Sequence, residues 1–271
     1  MKKILIAAVA GAALLMVLVL LPKNQPSPAP QAPGNENTNV AALPSPAEED
    51  VTAAEVTYGN GYLGYLARSN VEGTYPGVVM VHEWWGLNDN IKQMARVLAD
   101  EGYAVLAVDL YNGEVATTPE RARELTSGLD QVKALEQLRA AVAHLKSEGA
   151  SKVGSLGWCF GGGQSLQLSF NSPLDATVIY YGTLVTDEAK LSAIRWPVLG
   201  VFGDQDRSIT VESVQAFDAA LDKLGVENEI HLYPGVGHAF ANPSGANYAP
   251  TETKDAWEKT LAFLKKNLQT P

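Results

Sequence analysis

Seven residues, Gly157-Trp158-Cys159-Phe160-Gly161-Gly162-Gly163, follow the short run Lys152–Leu156 and constrain the fold more than any other part of the chain. The run reads as a buried strand. The glycines after it let the backbone turn sharply and let a following helix pack close to that strand. The spacing is glycine, any residue, nucleophile, any residue, glycine, which sets Cys159 at the apex of a strand–turn–helix bend. Such a bend holds the sulfur above the sheet. It also aims the Phe160 amide and the helix N-terminus at negative charge developing beside the sulfur. Cys159 is the only cysteine among the 271 residues, so no disulfide within the chain explains it.

From Val51 onward strands alternate with helices. The pattern predicts an entry hairpin of Glu55–Tyr58 and Tyr62–Ala67. Further strands are expected at Gly77–Val81, Tyr103–Val108, Lys152–Leu156, Ala176–Tyr181, Pro197–Phe202 and Glu229–Tyr233. Helices are expected from Asn88 or Asp89 to about Asp100, and over Pro119–Ser127, Leu129–Lys146, Asp187–Ile194, Val211–Leu224 and Lys254–Leu268. Val132, Leu135, Leu138, Val142 and Leu145 recur at helical spacing and predict one buried stripe. This alternation implies a doubly wound, mostly parallel sheet, and no insertion is long enough to form a large lid.

A nucleophile on this bend works with an acid after a later strand and a histidine after the last one. The Pro197–Phe202 run leads into Gly203-Asp204-Gln205-Asp206, and the Glu229–Tyr233 run into Gly237-His238-Ala239-Phe240. The order Cys159, Asp206, His238 therefore predicts a nucleophile, an orienting acid and a general base. A free thiol ionises near pH 8.5, so it needs a base or a positive field to act as a thiolate at neutral pH. Asp204 is a rival acid that could instead cap its turn. His144 and His231 are expected to be structural.

These segments, with His82-Glu83-Trp84-Trp85-Gly86-Leu87-Asn88, Asp109-Leu110-Tyr111 and Tyr180-Tyr181-Gly182, resemble the dienelactone hydrolase family (carboxymethylenebutenolidase-like) of the α/β-hydrolase superfamily. The likeness spans roughly Val51 to the C-terminus. It implies an α/β-hydrolase fold over residues 51–271 and hydrolysis of a small ester or lactone through an acyl-enzyme on Cys159. It favours Asp206 over Asp204. It also implies that Glu83 lies near the sulfur and takes part in switching thiol to thiolate; a carboxylate there opposes thiolate formation by repulsion. The Trp84 amide is expected as second oxyanion donor beside Phe160. Trp85, Tyr111 and Phe240, with Trp84, are expected to wall the substrate pocket. Arg123, in Pro119-Glu120-Arg121-Ala122-Arg123-Glu124, matches one of the family's carboxylate-binding arginines. A second such arginine falls on Asn242 here, a departure from the pattern. No metal and no organic cofactor is implied.

Two readings compete with this one: a catalytically idle ligand-binding or thiol-sensing domain, and a thioesterase or peptidase on the same fold. A binder has no use for both Asp206 and His238. The formal net charge of −10 argues against a nucleic-acid partner. His82-Glu83-Trp84-Trp85-Gly86 starts like the H-E-x-x-H zinc motif but lacks its second histidine. A monomer is expected.

Before the domain, Lys2-Lys3 precedes an apolar run from Ile4 to Leu21. Residues 1–21 thus read as a signal sequence or, if uncleaved, a membrane anchor; at 1.5 Å per residue the run reaches about 27 Å. Residues 22–50 hold seven of the fifteen prolines and read as a disordered linker. Together they predict an exported enzyme, periplasmic or extracellular, tethered by residues 4–21 if these are uncleaved.

Overall fold

In the computed structural model the chain divides into two units, Met1–Glu36 and Asn37–Pro271, and the described residues, 50–269, all belong to the second. The expected anchor, and all of the expected linker but its last residue, lie outside the described residues.

Eight strands form one sheet: β1 (Val51–Tyr58), β2 (Tyr62–Ser69), β3 (Gly77–Val81), β4 (Ala104–Val108), β5 (Val153–Trp158), β6 (Ala176–Tyr180), β7 (Val198–Gly203) and β8 (Asn228–Tyr233). Their spatial order is β1-β2-β4-β3-β5-β6-β7-β8. The β1–β2 and β2–β4 pairs are antiparallel and all later pairs are parallel. The helices are α1 (Asp89–Asp100), α2 (Pro119–Ser127), α3 (Gln131–Ser147), α4 (Phe160–Ser169), α5 (Glu188–Leu191), α6 (Val211–Lys223) and α7 (Pro250–Leu264), the last running into a π-helical turn, Lys265–Gln269.

Both faces of the parallel strands are covered, so those strands carry apolar side chains on both sides rather than in alternation with polar ones. On one face Val78, Met80, Leu156 and Val178 pack with Ile91, Ala95 and Leu98 of α1 and with Trp257 and Phe263 of α7. On the other, Val79, Val81, Leu106 and Val108 meet Leu138, Val142 and Leu145 of α3. A third cluster joins Ile179, Val198 and Phe202 to Val214 and Phe217 of α6. Each fully buried aliphatic side chain of this kind contributes about 1.5–3 kcal/mol.

The ends of the elements follow capping chemistry. The side chain of Asn88 accepts from the Ile91 amide at the start of α1, and Thr118 from the Arg121 amide at the start of α2. The first strand starts at Val51 rather than Glu55, the helix expected over Asp187–Ile194 is the short α5, and two other helices start elsewhere than expected. The helix expected from Leu129 begins at Gln131 because the Asp130 carboxylate caps the Val132 and Lys133 amides. This leaves Val132 in the first turn, 68% exposed, and outside the buried stripe. The last helix begins at Pro250 rather than Lys254, with proline in its first turn, where its missing N–H costs nothing.

The tightest packing is between α4 and the strands beneath it. A Cβ on Gly161 would sit 2.3 Å from the Val81 carbonyl and 2.4 Å from that of His82, so only glycine fits. At Gly163 the nearest atoms would be 3.5 Å away, on Thr183. Gly163→Ala should therefore stabilise the domain by about 0.5–1 kcal/mol, since a glycine within a helix costs that much relative to alanine. Thermal melting would read this as a rise of about 1–4 °C, and a fall would show that the helix cannot accept a methyl group there.

Candidate active site

The candidate residues lie beyond the C-terminal ends of four of the parallel strands: Glu83 after β3, Cys159 after β5, Asp206 after β7 and His238 after β8. Strand order reverses about β3, and in sheets of this type ligands bind beyond the strand ends at such a point. Cys159 itself has φ 55° and ψ −118°, a backbone conformation costing about 1–3 kcal/mol that persists only where the surroundings impose it. Here its amide donates to the Tyr180 carbonyl (2.9 Å), its carbonyl accepts from Gly163 (3.2 Å), and the Gly161 contact holds α4 against β3.

His238 Nε2 lies 3.1 Å from Cys159 Sγ, and its Nδ1 lies 2.7 Å from Asp206 Oδ2. The other Asp206 oxygen accepts from the Ser208 (2.7 Å) and Ile209 (3.0 Å) amides, which fixes the carboxylate. Burial works against a charged His238. The hydrogen bonds and charges of Asp206 and Cys159 outweigh it and raise the imidazole to about 10. Burial also opposes the Asp206 charge, but the bonds from His238, Ile209 and Ser208 leave that carboxyl below its usual range. Asp204 is engaged elsewhere: its carboxylate accepts from the Gly235 amide (2.7 Å) and the Gln205 amide group (3.0 Å).

Cys159 and His238 border a cavity of about 570 Å³, walled by Trp84, Thr126, Gln131, Phe160, Gly163, Gln164, Gln167, Tyr181, Thr183, Ser208 and Ile209. That volume suits a small organic molecule. Among the described residues neither the Trp84 nor the Phe160 amide donates a backbone hydrogen bond.

Sequence reasoning missed most of this wall. Thr126 lies near the end of α2, Gln131 starts α3, Gln164 and Gln167 share α4, and Thr183 and Ser208 follow β6 and β7; together they form no motif that could have marked them. Tyr181, expected only as the end of a strand and as part of the family likeness, has φ 35° and sets its ring edge-on to His238 at 5.3 Å. Three expected wall residues are corrected. Phe240 is fully buried against Tyr181 and Tyr233, a core side chain. Tyr111 is buried, its hydroxyl on Thr126 (2.9 Å), and Trp85 packs edge-on against Trp84 (4.9 Å) instead of bordering the cavity. Arg123 is exposed on α2 and also stands outside the wall.

Glu83 is buried, and its carboxylate accepts from the Asn242 side chain; no hydrogen bond joins it to Cys159. Burial pushes the Glu83 carboxyl up to about 7, against the opposing pull of His238 and Asn242. It faces a second, apolar cavity with Ile91, Met94, Val97, Trp158 and Trp257, and Tyr181 borders both cavities. Asn242, read in the sequence only as a missing arginine, is thus the partner of the buried acid. His144 packs against Tyr58 (5.9 Å), and His231 lies on β8, away from the cavity.

An eight-stranded sheet of this order, with a strained strand-to-helix turn after its fifth strand, is an α/β-hydrolase fold. The sequence model of the Dienelactone hydrolase family matches residues 63–268, and the chain belongs to that family. A Saccharolobus solfataricus protein bearing the name carboxymethylenebutenolidase is 32% identical over 70% of this chain and 88% of its own length. Protein usf of Aquifex pyrophilus is 33% identical over 76% of this chain and 93% of its own. The crystal structure of a Klebsiella pneumoniae protein described as a dienelactone hydrolase superposes with a TM-score of 0.70 at 28% identity, covering 80% of this chain and 99% of that one. The chain is a carboxymethylenebutenolidase-like hydrolase.

The same findings correct the exported, tethered address expected from the N-terminus. Among the described residues no helix is long and apolar enough to cross a membrane. The match to the Aquifex protein takes in nearly all of that protein while leaving about a quarter of this chain outside, so what the two share is the hydrolase domain by itself. Export is unsupported, and residues 4–21 lie outside the described residues.

Proposed function

We propose that the enzyme hydrolyses a small ester or lactone by nucleophilic catalysis through Cys159, His238 and Asp206. The observation that carries this reading is the unbroken chain of contacts from Cys159 Sγ to His238 (3.1 Å) to Asp206 (2.7 Å) beside a cavity of substrate size. The sulfur attacks the carbonyl carbon, and the carbonyl π electrons move onto oxygen, where the Trp84 and Phe160 amides receive the charge. Collapse of this intermediate expels the alkoxide, which takes its proton from His238 and leaves a thioester on Cys159. His238 then removes a proton from water, and the hydroxide releases the acid and regenerates the thiolate. Asp206 holds the imidazole in register and favours its charged form. The cavity wall carries neutral amides and hydroxyls where an anionic substrate would need arginine or lysine, so the preferred substrate is uncharged near the scissile bond.

An aryl ester mixed with the full-length protein and quenched early should leave an acyl mass on the peptide carrying Cys159. Because His238 is held at about 10, its proton should remain available until then, and kcat/KM should fall only as pH rises through about 10. In Asp206→Asn the bond and charge that raise His238 are weakened, so that alkaline limb should move down by at least about one pH unit. Acylation elsewhere, or a limb that stays put, would refute these assignments.

A further inference from the structure

His82 lies beside the catalytic groups but has no part in the steps above. It directly follows β3, is fully buried, and carries two ring nitrogens that a buried site must satisfy. Both are engaged. The Leu110 amide, just beyond β4, donates to Nε2 at 3.2 Å, and Nδ1 lies 2.5 Å from the Glu83 carbonyl oxygen. The Leu110 N–H can only donate, so Nε2 holds a lone pair, and a neutral ring then has its proton on Nδ1, directed at the Glu83 carbonyl. Burial drives the basicity of His82 down, in keeping with a neutral ring.

The bond to the Glu83 carbonyl bears on the reaction. That carbonyl belongs to the Glu83–Trp84 peptide, whose N–H is the Trp84 amide. The peptide is trans, so its C=O and N–H point in opposite directions. Holding the oxygen against His82, with a second bond from the Gly86 amide at 3.2 Å, turns the N–H away from His82. Trp84 borders the cavity over Cys159. The face of the His82 ring also stacks on Phe160 at 5.8 Å and 25°, the residue whose amide is the other proposed donor, and Tyr111 packs against it at 4.8 Å.

We propose that His82 is a positioning residue that, as a neutral Nδ1–H tautomer, orients the Glu83–Trp84 peptide so that the Trp84 N–H serves the oxyanion hole. This rests on the thioester reading above. His82 touches no substrate and moves no proton. It contributes only when charge builds up on the carbonyl oxygen.

Two reactions of Cys159 separate that role from simple structural support. Acylation by p-nitrophenyl acetate builds an oxyanion, whereas alkylation by iodoacetamide is displacement at a saturated carbon and builds none. In the full-length protein, His82→Leu should lower kcat for the ester by about 10²-fold or more, with KM and the alkylation rate changed by no more than about threefold. His82→Gln should restore most of the loss, because its amide supplies both an N–H donor for the Glu83 carbonyl and an acceptor oxygen for the Leu110 amide. Wild-type acylation in His82→Leu overturns the proposal, as does a parallel loss of alkylation, which would mark general damage to the site. Should His82→Leu fail to fold, nitrogen NMR of the wild type still tests the proposal: a His82 ring protonated on Nε2, or charged at pH 7, overturns it. Cys159→Ala is the separate control. Ester turnover surviving in that variant would sink the thioester reading itself, whatever the His82 variants do.

Discussion

Replacing Cys159 with alanine is expected to lower ester turnover by about 10⁴-fold or more while leaving the domain folded. Loss of a nucleophile in a three-residue unit costs about as much as loss of the whole unit, because base and acid have nothing left to activate. What survives is the binding and oxyanion contribution, about 10³–10⁴ over water in comparable sites. The fold should tolerate the change. The bonds that hold the strained turn run through the backbone, from the Cys159 amide to Tyr180 and from Gly163 to the Cys159 carbonyl, and alanine keeps both. Alanine also has the same Cβ, so the positive φ is no more strained than before. Burst kinetics with an aryl ester, followed by mass analysis of the quenched protein, read the result. Turnover within about tenfold of wild type in Cys159→Ala would show that another group attacks the ester.

The second large effect is on stability, and it reverses the usual expectation for an acid near an active site. Glu83→Gln should stabilise the domain by about 3 kcal/mol at pH 8 and by little at pH 4. In the folded protein the carboxyl is raised from an ordinary 4.5 to about 7, chiefly by burial. Between those values the folded state binds more proton than the unfolded state. Stability therefore falls as pH rises through this window, and the loss is complete above about 7. Glutamine is neutral throughout and keeps an oxygen for the Asn242 side chain, so it avoids the cost of burying a charge. Urea unfolding of both proteins at pH 4 and pH 8 would test this. A glutamine variant less stable than wild type at pH 8 would mean that the Glu83 charge is stabilised by its surroundings, contrary to the burial argument.

That buried acid also shows where sequence reading stops. His82-Glu83-Trp84-Trp85-Gly86 announces a strand end and a family resemblance, but nothing local says which way the Glu83 carboxyl turns. Its partner, Asn242, lies 159 residues away. The two meet because β3 and the segment after β8 end on the same side of the sheet. Phe240 is a similar case. Two residues beyond His238 it looks like a wall residue, but the chain turns it into the core between Tyr181 and Tyr233.

By itself the sequence determined the local geometry. The spacing around Cys159 specifies a bend that only a strand followed by a helix can make, and strand–helix alternation specifies the parallel sheet beneath it. The order of cysteine, acid and histidine also follows from the chain, because each ends its own strand or the loop just beyond it. These features depend on neighbours a few residues apart. The cavity wall, the Glu83–Asn242 pair and the anchoring of the Glu83–Trp84 peptide by His82 depend on side chains from different segments converging beyond the C-terminal ends of the parallel strands. Only packing sets which of their rotamers and hydrogen bonds can coexist, so the tertiary structure decided them.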